Sequence, residues 1–244
     1  MKKLTRVQVL VLQQVENEPP GRIQTVADKY GIQLEVIKLW KPNYQLPDIK
    51  KYQGLIIMGG PMGVYENYPS EEEELELLKK ADAEGIPIVG FCLGSQLLAH
   101  YLGAKVHKNI RNGKHTKEIG YYDIELTKEA LQDPLLKSFK SPLKVLEWHG
   151  DAFDLPGEAT LLATSPLCKN QAFRVRNLWG FLFHFEFTPE MMDRQIEVDR
   201  EWIHKDFEMD EGKLKKEARR FNNLMERQVE TLFKNFLAVI NPKK

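Results

Sequence analysis

A cysteine between two glycines is the feature of this sequence with the clearest chemical potential. In Gly90-Phe91-Cys92-Leu93-Gly94, the cysteine follows an apolar run at 86–89 and precedes a helical pattern. Such a sharp turn from strand to helix requires neighbours without a Cβ atom, and it points the central side chain out of the end of the sheet. The positive N-terminal end of a helix starting at Leu93 favours the thiolate, the form that attacks carbonyl carbon. Cys92 is therefore the predicted nucleophile, with a buried structural cysteine as the alternative.

The other cysteine and the overall composition exclude several classes of protein. Cys168 lies in an irregular stretch without flanking glycines, and we predict a structural role for it. Two cysteines in 244 residues are too few for a disulfide scaffold or a zinc cluster, which favours a reducing cytoplasm and no bound metal. The 35 basic and 35 acidic residues cancel, so no overall positive field attracts nucleic acid or an anionic membrane. No segment approaches the roughly 20 apolar residues of a membrane span.

A histidine and a glutamate two positions apart could supply the base that a cysteine nucleophile needs. His184 and Glu186 come at the end of a predicted strand at 178–183, and residues i and i+2 of an extended chain project to the same side. The carboxylate can then orient and polarise the imidazole, as the third member of a triad does. The alternative is a buried ion pair without a catalytic role. Three other histidines are expected on the surface or in packing contacts: His100, His107 and His115.

Attack on a carbonyl also requires N–H donors for the oxyanion of the intermediate. The amide of Leu93, at the start of the helix beside Cys92, is one candidate. The loop Met58-Gly59-Gly60-Pro61-Met62-Gly63 is suited to provide the second, because backbone without side chains can approach a ligand closely. A plain tight turn is the alternative. The loop lacks the Gly-Lys-Ser/Thr ending of a phosphate-binding loop.

Strands and helices alternate over the first part of the chain. The predicted strands lie at 7–12, 32–36, 54–58 and 86–89, and the predicted helices lie at 22–30, 70–84 and 92–102. Further predicted strands lie at 121–126, 143–148, 159–164, 171–176 and 178–183, and the last two form a hairpin. The pattern predicts an α/β fold with a mostly parallel open sheet, helices on both faces and a site at the carboxyl ends of the strands.

A long amphipathic helix is predicted beyond Pro189. Its apolar residues recur at spacings of three and four: Leu214, Ala218, Phe221, Met225, Val229, Leu232, Phe236 and Val239. We therefore expect a domain at 1–190 and a helical extension at 191–244 that packs on the same domain, with a dimer helix as the alternative. In the first domain, Ser70 and Glu73 are predicted to form a capping box at the start of the helix at 70–84.

At these residues the sequence resembles the class I glutamine amidotransferases, which have a Cys-His-Glu triad on a parallel α/β sheet. Gly59-Gly60-Pro61 is similar to the oxyanion strand of that family, residues 90–96 to its nucleophile elbow, and His184-Phe185-Glu186 to its His-Pro-Glu ending. Trp148-His149-Gly150-Asp151 resembles the Ser-His-Gly-Asp loop of the GMP synthetase amidotransferase domain, which is the most similar branch. The resemblance extends over nearly the whole of residues 7–190 and implies a flavodoxin-like fold.

The resemblance implies a role for each matching residue. Cys92 would be the nucleophile, His184 the general acid and base, and Glu186 the orienting carboxylate, while Gly60 and Leu93 would donate to the oxyanion. Gln96 would hold the substrate glutamine, and the rest of the substrate site would consist of Gly59, His149, Gly150 and Asp151. Two departures stand out: Phe185 replaces the usual proline, and the sequence has no Ser-Gly-Gly-x-Asp-Ser nucleotide loop. We therefore expect a free-standing protein of this family.

The implied activity is release of ammonia from glutamine for a separate synthetase partner, without a cofactor, a metal, nucleic acid or a membrane. Three alternatives remain at this point. One is a peptidase or hydrolase that cleaves other γ-glutamyl amides with the same residues. Another is the related group of intracellular cysteine peptidases and stress proteins, against which Gln96 and His184-Phe185-Glu186 argue. The third is a non-catalytic module of the same fold.

Overall fold

A computed structural model describes residues 7–205 and 208–241 of the chain. The strands are β1 (Gln8–Gln13), β2 (Gln33–Lys38), β3 (Gly54–Ile57), β4 (Ile88–Phe91), β5 (Val106–Lys108), β6 (Ile110–Arg111), β7 (Lys114–His115), β8 (Glu118–Leu126), β9 (Leu143–His149), β10 (Asp151–Phe153), β11 (Thr160–Thr164), β12 (Ala172–Val175) and β13 (Leu178–Phe181). The helices are α1 (Arg22–Lys29), α2 (Glu71–Ala83), α3 (Leu93–Tyr101), α4 (Pro189–Val198), α5 (Arg200–His204), α6 (Glu211–Arg220) and α7 (Asn222–Ile240).

The central sheet has nine strands in the order β2-β1-β3-β4-β13-β12-β11-β8-β9. The first five are parallel, and β4 pairs with β13 in a register that sets Phe91 opposite Phe181. The pairs from β13 through β9 are antiparallel and include the predicted hairpin of β12 and β13. The predicted α/β fold is confirmed, and the antiparallel half adds a feature that strand-helix alternation does not predict.

Helices cover both faces of the sheet, as predicted. Side chains of a strand alternate between its faces, so Val9 and Val11 of β1 join the apolar cluster that includes α1 and α7. Leu10 and Leu12 of the same strand join the opposite cluster, which includes α2 and α3. Burial on both faces explains why β1, β3, β4 and β13 contain continuous apolar runs, whereas the edge strand β2 is more exposed and contains polar residues.

The single long helix predicted near the C-terminus is wrong, because the chain breaks at Phe221 into α6 and α7. Leu214 and Ala218 of α6 pack in a cluster with Leu146 of β9, whereas the apolar face of α7, including Val229, packs against the sheet. The apolar pattern thus runs through both helices without interruption, and each helix uses its own part of the pattern to cover a different surface. The apolar residues of α6 and α7 pack within the chain. The division into a domain at 1–190 and an extension at 191–244 stays a prediction.

The predicted capping box at the start of α2 is also wrong. Ser70 makes no side-chain cap for the helix, and its hydroxyl donates instead to Glu74 Oε1 at 2.8 Å. Glu74 is fully buried and also accepts from Gln14 Nε2. The Ser70 hydroxyl therefore serves as a donor to this buried carboxyl group and not as an acceptor for the first N–H groups of the helix. None of the described helices has the length and apolar character needed to cross a membrane.

Candidate active site

Cys92 occupies the sharp turn between β4 and α3. Its backbone has φ 47° and ψ −108°, a left-handed conformation that is costly for any residue with a side chain. The two flanking glycines are required by contact: a Cβ atom on Gly90 would overlap the carbonyl of Gly94, and one on Gly94 would overlap the carbonyl of Ile57. The Cys92 amide donates to Phe181 O at 2.8 Å, which ties the turn to the neighbouring strand β13.

The Cys92 side chain lies at the wall of a cavity of about 420 Å³. Only 6% of the residue is exposed, and its Sγ atom is 3.7 Å from Trp148 O. The thiol is therefore shielded on most sides but can be reached from the cavity. This is the position expected for a cysteine that reacts with a small molecule and not with other proteins.

His184 and Glu186 follow β13, the strand beside β4. The strand ends at Phe181, two residues earlier than predicted, and His184 is held instead by backbone hydrogen bonds with Leu146 of β9 at 2.8 and 3.2 Å. Because β4 and β13 are parallel and in register, the residues after both strands meet at one edge of the sheet. The structure thus brings Cys92 and His184 together although they are far apart in the sequence.

The imidazole and the carboxylate form a short, fully buried pair. His184 Nδ1 is 2.6 Å from Glu186 Oε1, and both side chains are 1% exposed. Burial by itself would lower the pKa of His184, but the charge of Glu186 and hydrogen bonding with Cys92 and Glu186 hold it well above its usual value. The imidazole is therefore stabilised in its protonated form, the form that can pair with a thiolate or give a proton to a leaving group.

Phe185, which replaces the proline of the family pattern, contributes a hydrogen-bond donor. Its backbone N–H donates to Glu186 Oε2 at 3.0 Å, while Glu186 Oε1 faces His184. Proline has no N–H and could not make this bond. The Phe185 ring is buried and stacks on Phe139 with ring centroids 5.9 Å apart. Both oxygens of the carboxylate are thus fixed, one by the histidine and one by the backbone.

Two backbone segments lie near the thiol where an oxyanion would form. Leu93 is the first residue of α3, and the hydrogen bonds of the helix begin with the amides of Ser95 and Gln96, which donate to Cys92 O. The amide of Leu93 thus belongs to the first turn, where N–H groups have no partner within the helix. Gly60 borders the cavity on the other side, and a Cβ atom there would lie 3.0 Å from Leu93 Cδ2.

Of the remaining predicted substrate residues, Gln96, His149, Gly150 and Asp151 line the same cavity, and Gly59 precedes Gly60 at its wall. Gln96 is 4% exposed, and its side-chain oxygen has no hydrogen-bond partner within residues 7–205 and 208–241. Asp151 accepts a hydrogen bond from the Tyr65 hydroxyl at 2.7 Å, and Gly150 O is 2.8 Å from His115 Nε2. The loop is thus held in place by its neighbours, and Gln96 has an unused acceptor beside the thiol.

His149 differs from these residues because its imidazole is engaged away from any substrate. Its Nε2 atom lies 3.0 Å from Glu147 Oε2 and 3.4 Å from Glu118 Oε2, and all three side chains are almost completely buried. The three groups have the donor types and spacing of a metal site, with ligand atoms within 4.8 Å of one another. However, although burial opposes it, the two carboxylates raise the pKa of His149 to about 10. The two carboxylates thus stabilise the imidazole in its protonated form, in which both ring nitrogens carry a hydrogen.

Comparison with known proteins identifies the family. Residues 22–202 match the model of the class-I glutamine amidotransferases. The chain belongs to this family. It is 36% identical over 186 residues to the glutamine amidotransferase-like protein YfeJ of Salmonella typhimurium, covering 74% of this chain and 76% of YfeJ. It is also 29% identical over 176 residues to one of the subunits of the glutamine-hydrolysing GMP synthase of Saccharolobus solfataricus, covering 71% of this chain and 85% of that relative.

The fold agrees with that of a solved relative. A glutamine amidotransferase from Thermotoga maritima is 30% identical and has a TM-score of 0.86, with 97% of this chain and 99% of the relative covered. The resemblance read from residues 59–61, 90–96 and 184–186 is thereby confirmed at the level of family and fold. Because the similarity extends through the C-terminal helices, this fold is shared beyond the residues that carried the resemblance.

The cavity of this class I amidotransferase also includes residues that the sequence analysis missed. They are Glu18, Tyr65, Glu66, Lys108, His115, Lys117, Asp199, Trp202 and Lys205. For Glu18 a signal existed, since it follows β1 and the carboxyl ends of parallel strands share one edge of the sheet. The helical segment after residue 190 contributes Asp199, Trp202 and Lys205. Nothing in the sequence indicated that this segment contacts the site. His115 was expected among surface or packing histidines, yet it contacts the Gly150 carbonyl at the cavity wall.

Proposed function

We propose that the chain hydrolyses the side-chain amide of glutamine through a γ-glutamyl thioester on Cys92. The observation that carries this proposal is the meeting of Cys92, His184 and Glu186 at the ends of two adjacent parallel strands, beside a cavity large enough for an amino acid. Membership of the class I glutamine amidotransferase family supports the same reaction.

In the first half of the reaction, the Cys92 sulfur attacks the amide carbon of glutamine and its proton passes to His184. A C–S bond forms, and the amide oxygen takes up negative charge that the N–H groups of Leu93 and Gly60 stabilise. His184 then gives its proton to the amide nitrogen, the C–N bond breaks and ammonia leaves. Water attacks the resulting thioester, its proton passes through His184 to the sulfur, and glutamate is released.

The other residues of the site position His184 and the substrate. Glu186 keeps the His184 ring with Nδ1 toward the carboxylate, which leaves Nε2 for the exchange of protons with Cys92. Gln96 provides its unpartnered buried oxygen as an acceptor for the substrate. Gly59, Gly150 and Asp151 line the rest of the binding site in this proposal. His149 takes part through its backbone, since its imidazole is paired with Glu147 and Glu118.

The test is the incubation of the purified chain with glutamine while glutamate is measured. Cys92→Ala is expected to reduce glutamate formation to background, whereas the matched variant Cys168→Ala is expected to keep it. Undiminished hydrolysis by Cys92→Ala would falsify the assignment of the nucleophile. Absence of alkylation of wild-type Cys92 by iodoacetamide near neutral pH would instead favour a non-catalytic module.

A separate synthetase that accepts the ammonia is part of the proposal. The Saccharolobus solfataricus relative supports it, because its name describes one subunit of a larger GMP synthase. The same assay separates two situations. Turnover by the chain alone would indicate a self-sufficient hydrolase, and turnover that requires an added synthetase would indicate a gated amidotransferase.

A second candidate substrate class is favoured by the basic part of the cavity lining. Lys108, His115 and Lys205 line the cavity together with Cys92. Such side chains suit a γ-glutamyl amide whose leaving group carries a carboxylate, as in a γ-glutamyl peptide. Comparison of kcat/KM for glutamine and for γ-glutamyl dipeptides distinguishes the two, since glutamine has no anionic leaving group.

A further inference from the structure

Glu18 is a buried carboxylate at the edge of the cavity that none of the family motifs includes. It lies in the loop between β1 and α1, is 5% exposed and lines the same cavity as Cys92. The end of the loop is held against the segment that contains His184 and Glu186, because the Arg22 amide donates to Glu186 O at 3.0 Å. A Cβ atom on Gly21 would overlap that same carbonyl oxygen, so the chain can approach it only with glycine. The position of Glu18 is therefore coupled to that of His184.

Gly59 provides the space in which the carboxylate meets the histidine. A Cβ atom at Gly59 would overlap Glu18 Oε2, and it would lie 3.2 Å from His184 Cε1 and 3.4 Å from Cys92 Cβ. The three side chains thus converge on one point that the missing side chain leaves open. Nδ1 of His184 faces Glu186, so Glu18 approaches the edge of the ring at Cε1, between the two ring nitrogens.

The carboxylate of Glu18 is held from the C-terminal part of the chain. Gln195 of α4 donates through Nε2 to Glu18 Oε1 at 3.3 Å and to Asp199 Oδ2 at 2.7 Å. Asn17 in turn donates to Gln195 Oε1 at 2.9 Å, which fixes the orientation of the amide. Glu18 Oε2 is thereby directed toward Gly59 and His184 and away from α4.

The charged groups around the pair determine the electrostatic effect. His184 faces Cys92 at the elbow, Glu186 beyond β13, Glu147 of β9 and Glu18. Glu18 faces His184, Glu186 and Asp199. Burial raises the pKa of Glu18 to about 7, and Asp199 and Glu186 add to this while His184 and Gln195 oppose it. With a pKa of about 7, Glu18 is mostly ionised above neutral pH, and the pKa of His184 lies well above its usual value.

We propose that Glu18 is a positioning residue whose carboxylate stabilises the protonated imidazole of His184 across the gap at Gly59. The inference rests on the proposed function, in which the imidazolium gives a proton to the leaving nitrogen. Glu186 orients the ring through a hydrogen bond, whereas Glu18 acts through charge at a carbon edge that cannot accept a proton. An opposite charge close to an ionisable group favours the charged form of that group.

The decisive experiment is a pH titration of the His184 ring by NMR in the full chain. Imidazole ¹⁵N signals are recorded in a Cys92→Ala background, so that the thiol does not titrate in the same range, and His184 is assigned with His184→Asn. Glu18→Gln keeps the shape of the side chain and an acceptor for Gln195 but removes the charge. The matched control is Glu197→Gln, which removes the same charge from the exposed face of α4.

In Glu18→Gln, His184 is expected to lose its proton at a pH about one to three units lower than in the parent. Glu197→Gln is expected to leave this midpoint unchanged. Glu18→Asp keeps the charge and is expected to have a midpoint close to that of the parent. In enzymes that retain Cys92, the alkaline limb of kcat/KM should move to lower pH with Glu18→Gln.

An unchanged midpoint in a folded Glu18→Gln protein would overturn the inference, as would equal shifts for Glu18→Gln and Glu18→Asp, which would indicate a packing role. The titration of His184 can be measured whether or not the chain hydrolyses glutamine. A chain that fails to hydrolyse glutamine but shows the shift would contradict the proposed function and leave the electrostatic role of Glu18 standing.

Discussion

Replacement of Phe185 by proline tests whether the backbone N–H at this position holds the carboxylate of Glu186, which we propose to orient His184. In this chain the Phe185 amide donates to Glu186 Oε2 at 3.0 Å, and the other carboxylate oxygen pairs with His184. Phe185→Pro removes that donor and also removes a buried ring that stacks on Phe139. Phe185→Val removes the ring but keeps the N–H, so the difference between the two variants reports the loss of the N–H together with the backbone restriction that proline imposes.

The two effects have different magnitudes and different readouts. A hydrogen bond to a charged group contributes about 1.5–3 kcal/mol, so its loss at Glu186 corresponds to about tenfold to a hundredfold in kcat/KM. Loss of the ring acts mainly on stability, by up to about 3–5 kcal/mol as for other buried Phe truncations. Both variants should therefore unfold at a lower temperature than the wild type, but only Phe185→Pro should lose the further activity.

The assay is glutamine hydrolysis well below the melting temperature of both variants, which is checked by circular dichroism. We expect kcat/KM of Phe185→Pro to fall about tenfold to a hundredfold below that of Phe185→Val. Equal kcat/KM for two folded variants would refute the role given to the N–H. It would mean that the pairing with His184 alone is enough to hold Glu186.

Three further predictions concern the glycine gap, a buried carboxyl and the two thiols. Gly59→Ala should abolish glutamine hydrolysis while the fold is kept, because its Cβ atom would overlap Glu18 and lie 3.2 Å from His184 Cε1; activity and circular dichroism together test this. Burial raises the pKa of Glu74 from 4.5 to about 7, so the protein loses stability as the pH rises between these two values. In urea unfolding, Glu74→Gln should therefore raise the free energy of unfolding by at most about 3 kcal/mol at pH 8 and leave it unchanged at pH 4. Burial raises the pKa of the Cys168 thiol to about 12, so iodoacetamide at neutral pH should label Cys92 and leave Cys168 unmodified by mass spectrometry.

The parts of the fold that could be predicted are those whose local sequence allows one interpretation. The apolar run of β3, for example, is buried along its whole length and is followed by Met58 and two glycines. The break between α6 and α7 could not be predicted, because the apolar spacing continues through Phe221. The short pairs β5–β10 and β6–β7 have two or three residues per strand, too few to show a period.

Some residues of the candidate site could likewise be predicted from the local sequence, and others could not. Cys92 carries a local signal in its flanking glycines, and His184 carries one in the glutamate two positions later. For Glu18 the signal is only its place after β1, because an acidic residue in a polar turn beside Pro19 is ordinarily solvated. Its burial depends on Gln195, which is 177 positions away, and such a contact has no expression in local composition or periodicity.

Strand register is the physical link between the local signals and the assembled site. The turn at Arg176 and Asn177 joins β12 to β13, with Val175 opposite Leu178 and Arg176 at φ 51°. That turn fixes where β13 begins, and the parallel pairing with β4 then fixes how far beyond the sheet edge His184 lies relative to Cys92. A slip of one residue would turn every side chain of β13 to the other face and carry His184 away from the thiol. The geometry of the site is therefore set by a hairpin at the opposite end of the strand.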